Sequence, residues 1–400
     1  MTSSNFLSIF GKRVVTLDGG LVSPIYLVLD HVVTSTQGTT LEDVFHQNIC
    51  HTSLWSAQPI QENPEIIVQA HLAFLRAGAR VISASTYQCA YETFGRSGYS
   101  REDAENTMTK AVQLAVEAKK RFLQDRDDGD SVKIALSFGP FGATLNPAQE
   151  FDGFYPTPYG PRAYSSESDN TNSFAAGEEA KEEEAIAALA QFHLRRLLVF
   201  AKQPDTWSSF DCLAFETVPL IREVKGIRRA VKFLYESQLG LERKPWWIST
   251  VWPEGRYPQA KLLDGQPVQP QDVVEALLGE GDGLPSPKAF GINCTTTFFL
   301  PLLLADVQRK VQELALGYKP WLVLYPNGGD TYDPVTQTWI ESSSGKQKGE
   351  KWAGQVIDAV RNASSSRVWE GIIAGGCCRT GPGEIERLAQ SITSLLDKNH

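Results

Sequence analysis

The chain has 400 residues, of which 42% are hydrophobic and 21% are charged, and its formal net charge is −9 at pH 7. This composition is typical of a globular protein that is long enough to bury a sizeable core. The negative charge and the lack of a basic run argue against nucleic acid as a partner. No run of about eighteen apolar residues occurs, so the sequence predicts no membrane-spanning helix.

The first residues, MTSSNFLSIFGKRVV, lack a positively charged start, an apolar core of secretory length and a small-residue cleavage site. The sequence therefore predicts a cytoplasmic protein. In that compartment thiols stay reduced, and clustered cysteines indicate a metal or catalytic site before they indicate disulfides. The chain has six cysteines, and two of them are adjacent.

Short β-rich runs alternate with segments in which apolar residues have helical spacing. Strands are predicted within 13–20, 79–87, 132–140, 211–217, 246–252, 289–295, 321–329 and 371–377. Helices are predicted within 64–77, 101–125, 177–203, 220–238, 270–280, 298–316, 351–362 and 382–397. Eight strand–helix units predict an α/β protein, a single (β/α)8 TIM-type barrel domain over residues 1–400.

The length beyond the barrel is expected in two loops, residues 21–60 after the first strand and residues 141–180 after the third. Both are rich in Pro, Gly, Ser and aromatic residues. In a barrel, the loops that follow the strands overhang the face that carries the active site. Within the second loop, residues 162–180 are polar enough to predict a mobile surface insert.

Three cysteines fall at predicted strand ends. Cys294 ends the sixth strand, and Cys377 and Cys378 end the eighth. Only one strand separates these two in a barrel, so the three thiolates are expected to converge on one rim. Three sulfur ligands with an open fourth position are typical of a catalytic zinc site. The alternative is that each cysteine is a small buried apolar residue.

The other three cysteines, Cys50, Cys89 and Cys212, have no cysteine or histidine neighbour at ligand spacing. For these three we favour the interpretation as buried apolar residues.

Nine short segments are distributed over nearly the whole chain. They are LDGG (17–20), LWSA (54–57), STYQ (85–88), SFGPFGA (137–143), FDGFY (151–155), AFETVPLIRE (214–223), GINCT (291–295), YPNGG (325–329) and GGCCRTGP (375–382). In this order they resemble the homocysteine S-methyltransferase family, a group of zinc-dependent barrel enzymes. The resemblance implies that methionine is formed by methyl transfer to a zinc-bound homocysteine thiolate, with Cys294, Cys377 and Cys378 as the zinc ligands.

The resemblance also implies roles for residues around the metal. Asp18 and Glu216, at the ends of the first and fourth strands, match the acidic positions that bind the homocysteine ammonium group. Considered without the family, each acid could equally serve a cap or a turn. Gly19, Gly20 and Thr86 are expected to donate to the substrate carboxylate.

A methyl donor that works without a corrin is a cation, and cations are attracted to aromatic faces. Trp55 matches a donor-binding aromatic position of the family, and Asn327 is a candidate polar contact to the donor. Tyr87, Phe141 and Tyr155 could assist, although for these three packing is the favoured interpretation.

Many relatives have a Pro-x-His-Ile pattern where this chain has Pro382-Gly383-Glu384-Ile385, so the role of that histidine does not carry over. The folate-dependent type of the family uses cobalamin on further domains, and the betaine-dependent type has a C-terminal assembly arm. The chain has only 22 residues after Cys378. We therefore expect S-methylmethionine as the donor, with S-adenosylmethionine second, and a monomer.

Three alternatives remain at this stage. The first is a betaine-dependent homocysteine methyltransferase. The second is a non-catalytic zinc or thiol-binding protein in which the adjacent cysteines sense redox state; it requires no acids at the strand ends. The third is an unrelated barrel enzyme without a metal.

Overall fold

A computed structural model describes residues 5–21, 54, 57–124, 131–237, 240–281, 283–328, 331–333, 338–340 and 346–397. Eight parallel strands form one sheet in the order β1-β10-β7-β6-β5-β4-β3-β2. They are β1 (Val14–Thr16), β2 (Val81–Ser83), β3 (Lys133–Phe138), β4 (Cys212–Val218), β5 (Trp246–Val251), β6 (Ala289–Asn293), β7 (Trp321–Tyr325) and β10 (Ile372–Ala374). A parallel bridge between Leu17 and Val81 joins β1 to β2 and closes the barrel.

The helices of the described part of the chain surround this barrel. They are α1 (Phe6–Phe10), α2 (Gln58–Glu62), α3 (Pro64–Arg76), α4 (Tyr91–Arg96), α5 (Arg101–Gln124), α6 (Glu179–Ala201), α7 (Pro204–Ser208), α8 (Ile221–Glu236), α9 (Pro270–Leu278), α10 (Leu300–Glu313), α11 (Lys346–Ser366) and α12 (Pro382–Asp397). None of them is long and apolar enough to cross a bilayer.

The alternation of strands and helices confirms the predicted (β/α)8 fold. Each strand of the barrel lies at the predicted position, but most are shorter than the predicted run because the polar residues at the end of the run turn over the rim. Pro64 and Pro382 begin α3 and α12, where a proline loses no hydrogen bond. An additional hairpin, β8 (Thr331–Asp333) with β9 (Thr338–Ile340), was not predicted.

The amino-terminal end of the barrel is closed by α1, which the sequence pattern did not predict. Phe6 is fully buried, and its ring centroid lies 5.9 Å from that of Trp247 and 5.8 Å from that of Trp321. Phe10 stacks on Phe6 and also contacts Trp321. Large aromatic side chains therefore fill this end of the barrel.

The loop between β3 and α6 contributes Glu150 and Phe151 to the opposite end of the barrel, where they line one pocket with residues of the strand ends. Its polar part, residues 162–180, is anchored at Asn172, whose side-chain amide donates to the carbonyls of Asp152 and Pro258 at 2.6 Å each. Arg222 of α8 donates to the Asn172 carbonyl at 2.6 Å. The mobility expected of residues 162–180 stays a prediction. Most of the predicted loop 21–60 lies outside the described residues.

Candidate active site

The three predicted ligand cysteines meet at the carboxyl end of the barrel. Their sulfur atoms all lie within 4.8 Å of one another, and the Sγ atoms of Cys294 and Cys378 are 3.7 Å apart. Cys294 and Cys378 are buried, whereas Cys377 is partly exposed. It borders a pocket that opens above the barrel. The arrangement can hold a metal ion with one coordination position turned to that pocket.

Backbone geometry directs these sulfurs inward. Cys294 follows β6 with a left-handed φ of 47°, a conformation that is costly for a residue with a side chain. The Cys377 amide donates to the Pro326 carbonyl at 2.9 Å, which ties the cysteine pair to the end of β7. Gly375 allows the same segment to approach the first strand, since a Cβ there would lie 2.6 Å from the Asp18 carbonyl.

Asn293, the last residue of β6, links three strand ends. Its Oδ1 accepts a hydrogen bond from the Thr217 amide at 2.9 Å, and its Nδ2 donates to the Thr217 hydroxyl at 2.8 Å. The same Nδ2 lies 3.9 Å from the Cys377 sulfur. Thr217 has a left-handed φ of 59°, and the β4–β5 register shifts at this point. This bulge turns the neighbouring Glu216 toward the pocket.

Asp18 and Glu216, the two predicted acids, line the same pocket as Cys294 and Cys377. Asp18 is 2% exposed and accepts from the Ser83 amide at 2.7 Å and from the Ser83 hydroxyl at 3.1 Å. Burial raises the pKa of Asp18 to about 8, and the charge of Glu216 adds to that rise. Burial raises the pKa of Glu216 to about 7, against a hydrogen bond with Ser137. The pair therefore favours a cation between its members.

The three predicted donors to a substrate carboxylate are already hydrogen-bonded or tightly packed. The Gly20 amide donates to the Thr380 carbonyl at 3.1 Å, and the Thr86 amide donates to the Ala84 carbonyl at 2.7 Å. A Cβ on Gly19 would lie 2.5 Å from the Thr380 carbonyl, so this glycine is required for close packing. Donation by Gly19, Gly20 and Thr86 to the substrate stays a prediction that requires an exchange of these bonds.

Of the predicted donor contacts, Trp55 lies outside the described residues. Asn327 follows β7 and is buried, and its Oδ1 has no hydrogen-bond partner within the described part of the chain. Tyr87 lines the pocket. Phe141 and Tyr155, which belong to the β3–α6 loop, instead pack together in a separate buried cluster with Phe192, which agrees with the packing interpretation.

Glu150 lines the pocket but was not predicted from the sequence. It lies in the β3–α6 loop, is 3% exposed, and its Oε2 has no hydrogen-bond partner among the residues that the structure describes. The sequence offers a weak signal, because Glu150 directly precedes the FDGFY segment. A loop has no periodicity from which the direction of a side chain could be inferred.

The glutamate that replaces the family histidine has a local role. The Glu384 side chain accepts a hydrogen bond from the Gly381 amide at 3.0 Å, which caps the start of α12. Cys89 and Cys212 are buried, as expected of apolar residues, and Cys50 lies outside the described residues.

Comparison with known proteins agrees with this geometry. A family model described as homocysteine S-methyltransferase matches residues 32–392. Homocysteine S-methyltransferase 2 of Zea mays is 28% identical over 393 residues, which cover 97% of this chain and 92% of the relative. Homocysteine S-methyltransferase YbgG of Bacillus subtilis is 29% identical over 349 residues, which cover 86% of this chain and 89% of the relative.

A solved structure has the same fold. The metallated form of the homocysteine methyltransferase MmuM from Escherichia coli aligns with a TM-score of 0.60 and 24% identity, covering 95% of this chain and 96% of that chain. The family match over residues 32–392 includes the three clustered cysteines and Glu216, whereas Asp18 precedes the matched range. The chain belongs to the homocysteine S-methyltransferase family and is a methyltransferase that acts on homocysteine.

Proposed function

We propose that this enzyme is zinc-dependent and makes methionine by taking a methyl group from a sulfonium donor, S-methylmethionine first and S-adenosylmethionine second. The observation that carries the proposal is the cluster of three cysteine sulfurs beside two acids, Asp18 and Glu216, in one pocket. Tetrahedral zinc with Zn–S bonds of about 2.3 Å requires sulfurs about 3.8 Å apart. The 3.7 Å between Cys294 and Cys378 fits that requirement.

The donor set also fits zinc chemically. Hydrogen bonds with Cys377 and Cys378, together with burial, raise the pKa of Cys294 well above its usual range. The pKa of Cys377 is raised as well, so these two thiols stay protonated without a cation, and a soft divalent ion that displaces their protons suits the cluster best. When bound, zinc would hold the homocysteine sulfur as a thiolate, which is the nucleophilic form.

The side chains around the cluster bind and orient the amino acid. In this proposal Asp18 and Glu216 receive the homocysteine ammonium group, whose positive charge offsets the cost of ionising two carboxyls with raised pKa values. Ser83 holds Asp18 in place through two hydrogen bonds. The methyl carbon then bonds to the homocysteine sulfur as its bond to the donor sulfur breaks, and the thiol proton passes to solvent.

The charge of the pocket favours a sulfonium amino acid over the other donors. Three acids line it, the buried Asp18 and Glu150 and the partly buried Glu216, and so do the aromatic rings of Tyr87 and Tyr325. Acids and aromatic faces both attract cations. S-Methylmethionine carries a net positive charge, betaine carries none, and methyltetrahydrofolate is an anion. This order of net charge among the donors is the basis of the donor proposal.

Initial rates of methionine formation test the proposal. With zinc-loaded protein and fixed homocysteine, we expect turnover with S-methylmethionine, a lower rate with S-adenosylmethionine, and little with betaine or methyltetrahydrofolate at equal concentration. Added cobalamin is expected to change nothing. A clear preference for betaine or the folate would overturn the donor assignment, and equal rates before and after zinc removal would overturn the metal assignment.

A further inference from the structure

Glu150 is a buried acid, one oxygen of which has no hydrogen-bond partner in the described part of the chain. Its side chain is 3% exposed, it lines the pocket beside the cysteine cluster, and its Oε2 accepts no hydrogen bond from the described residues. Leaving a buried carboxylate oxygen unpaired is costly. Such a group is retained where a ligand supplies the missing partner.

The loop that carries Glu150 is built to hold it there. The Gln149 amide donates to the Gly142 carbonyl at 2.9 Å, and the Gly153 amide donates to the Gln149 carbonyl at 2.8 Å. A Cβ on Gly142 would lie 2.8 Å from the Glu150 nitrogen, so only glycine permits this fold of the loop. The hydrogen bonds of Gln149 and its contact with Gly142 therefore fix the backbone position of Glu150.

The start of the same loop is fixed to α8. The fully buried Glu223 accepts hydrogen bonds from the Phe141 amide and from the Tyr155 hydroxyl, each at 2.7 Å. It also lies 3.0 Å from Nε2 of the buried His193. This buried network anchors the backbone that leads to Glu150 and gives the carboxyl a defined position over the pocket.

Glu150 and the two other acids belong to different parts of the pocket wall. Asp18 and Glu216 lie at strand ends of the barrel, whereas Glu150 lies in the β3–α6 loop. The Asp18–Glu216 pair is assigned to the acceptor amino acid. The carboxyl on the loop is then left for the second substrate, which must approach the acceptor sulfur from its free side.

We propose that Glu150 binds the positively charged end of the methyl donor and is the residue that selects a cationic donor over a neutral or anionic one. The inference rests on the proposed sulfonium-dependent function and names a residue for its second substrate. A carboxylate facing a sulfonium or ammonium group in a buried pocket gives a charge-assisted contact, which a neutral amide cannot replace.

The test compares the apparent Michaelis constants of three variants with the parent enzyme. Glu150→Gln keeps the shape of the side chain and removes its charge, and we expect the KM for S-methylmethionine to rise at least about tenfold, while the KM for homocysteine stays within about twofold. Glu150→Asp keeps the charge and should recover part of the loss. Glu167→Gln removes an exposed charge from the same loop, away from the pocket lining, and should change the KM for the donor by less than about threefold.

The outcomes separate this inference from the proposed function. If the parent enzyme uses no sulfonium donor, the proposed function fails. If the parent uses S-methylmethionine and Glu150→Gln has the same KM for it, the assignment of Glu150 is wrong. An equal rise in the KM for both substrates, or a loss of zinc from Glu150→Gln, would give this carboxyl a structural role and would also overturn the proposal.

Discussion

The two ends of the barrel differ in what they bury. At the amino-terminal end, Phe6 and Phe10 of α1 pack on Trp247 and Trp321. At the carboxyl-terminal end the buried groups are thiols and acids, which cost free energy to bury without a partner. The apolar end therefore contributes stability, and the polar end gives up stability to bind charged ligands.

The polar end also depends on unusual backbone. Cys294, Thr217 and Arg379 have left-handed φ angles of 47°, 59° and 61°, and all three lie at or beside the cysteine cluster. Such conformations persist only where the surroundings hold them in place. Here the two hydrogen bonds between Asn293 and Thr217 provide that support. Each of four substitutions is expected to alter one end of the barrel and to leave the other end intact.

The largest effect is expected from Cys378→Ser. Loss of one thiolate ligand should release most of the zinc and lower the rate of methionine formation by at least about a thousandfold, roughly 4 kcal/mol in the activation barrier. Metal analysis measures the zinc content, and initial rates measure the loss of activity. Cys212→Ala, which removes a buried thiol away from the cluster, is the control and should keep its zinc. A metal-free Cys378→Ser protein with full activity would contradict the account.

The next effect concerns stability at the other end. Phe6→Ala removes a fully buried ring between two tryptophans and should lower the free energy of unfolding by about 3 kcal/mol or more. Denaturant unfolding measures the loss. The Michaelis constants should stay within about twofold of the parent values. Phe233→Ala is the control, because that ring is 38% exposed.

If Phe6→Ala weakened substrate binding by as much free energy as it removed from the stability, the two ends of the barrel would not be independent. The separation described above would then be wrong.

The smallest effect is expected from Asp18→Asn and Glu216→Gln. Each removes one charge from the pair assigned to the homocysteine ammonium group, so the KM for homocysteine should rise about tenfold while zinc content is unchanged. Asp205→Asn on the exposed side of α7 is the matched control. If both variants have the same KM for homocysteine as the parent enzyme, these acids do not bind the ammonium group.

Much of this site could be predicted from the sequence because a barrel gathers its strand ends. Asp18, Glu216 and Cys294 each follow a recognisable β-rich run, and closure of the sheet brings those runs to one rim. The adjacent Cys377 and Cys378 give the strongest signal, since metal chemistry requires several ligands in one place. No contact between distant segments had to be known in advance.

The features that were not predicted depend on long-range packing. The α1 helix has only five residues, too few to give a periodic pattern, and it is held by rings more than 200 residues away along the chain. Glu150 is directed into the pocket by the contact of Gly142 with Gln149 and by the anchor at Glu223. Neither local propensity nor spacing carries that information.

X-ray absorption at the zinc edge tests the central claim most directly. The account predicts that zinc bound to the parent protein has three sulfur neighbours at about 2.3 Å, supplied by Cys294, Cys377 and Cys378, and that homocysteine adds a fourth. Methionine, which has no thiol, should leave the count at three. A shell that already holds four protein ligands, or one that does not change when homocysteine is added, would contradict the proposal that this metal activates the acceptor sulfur.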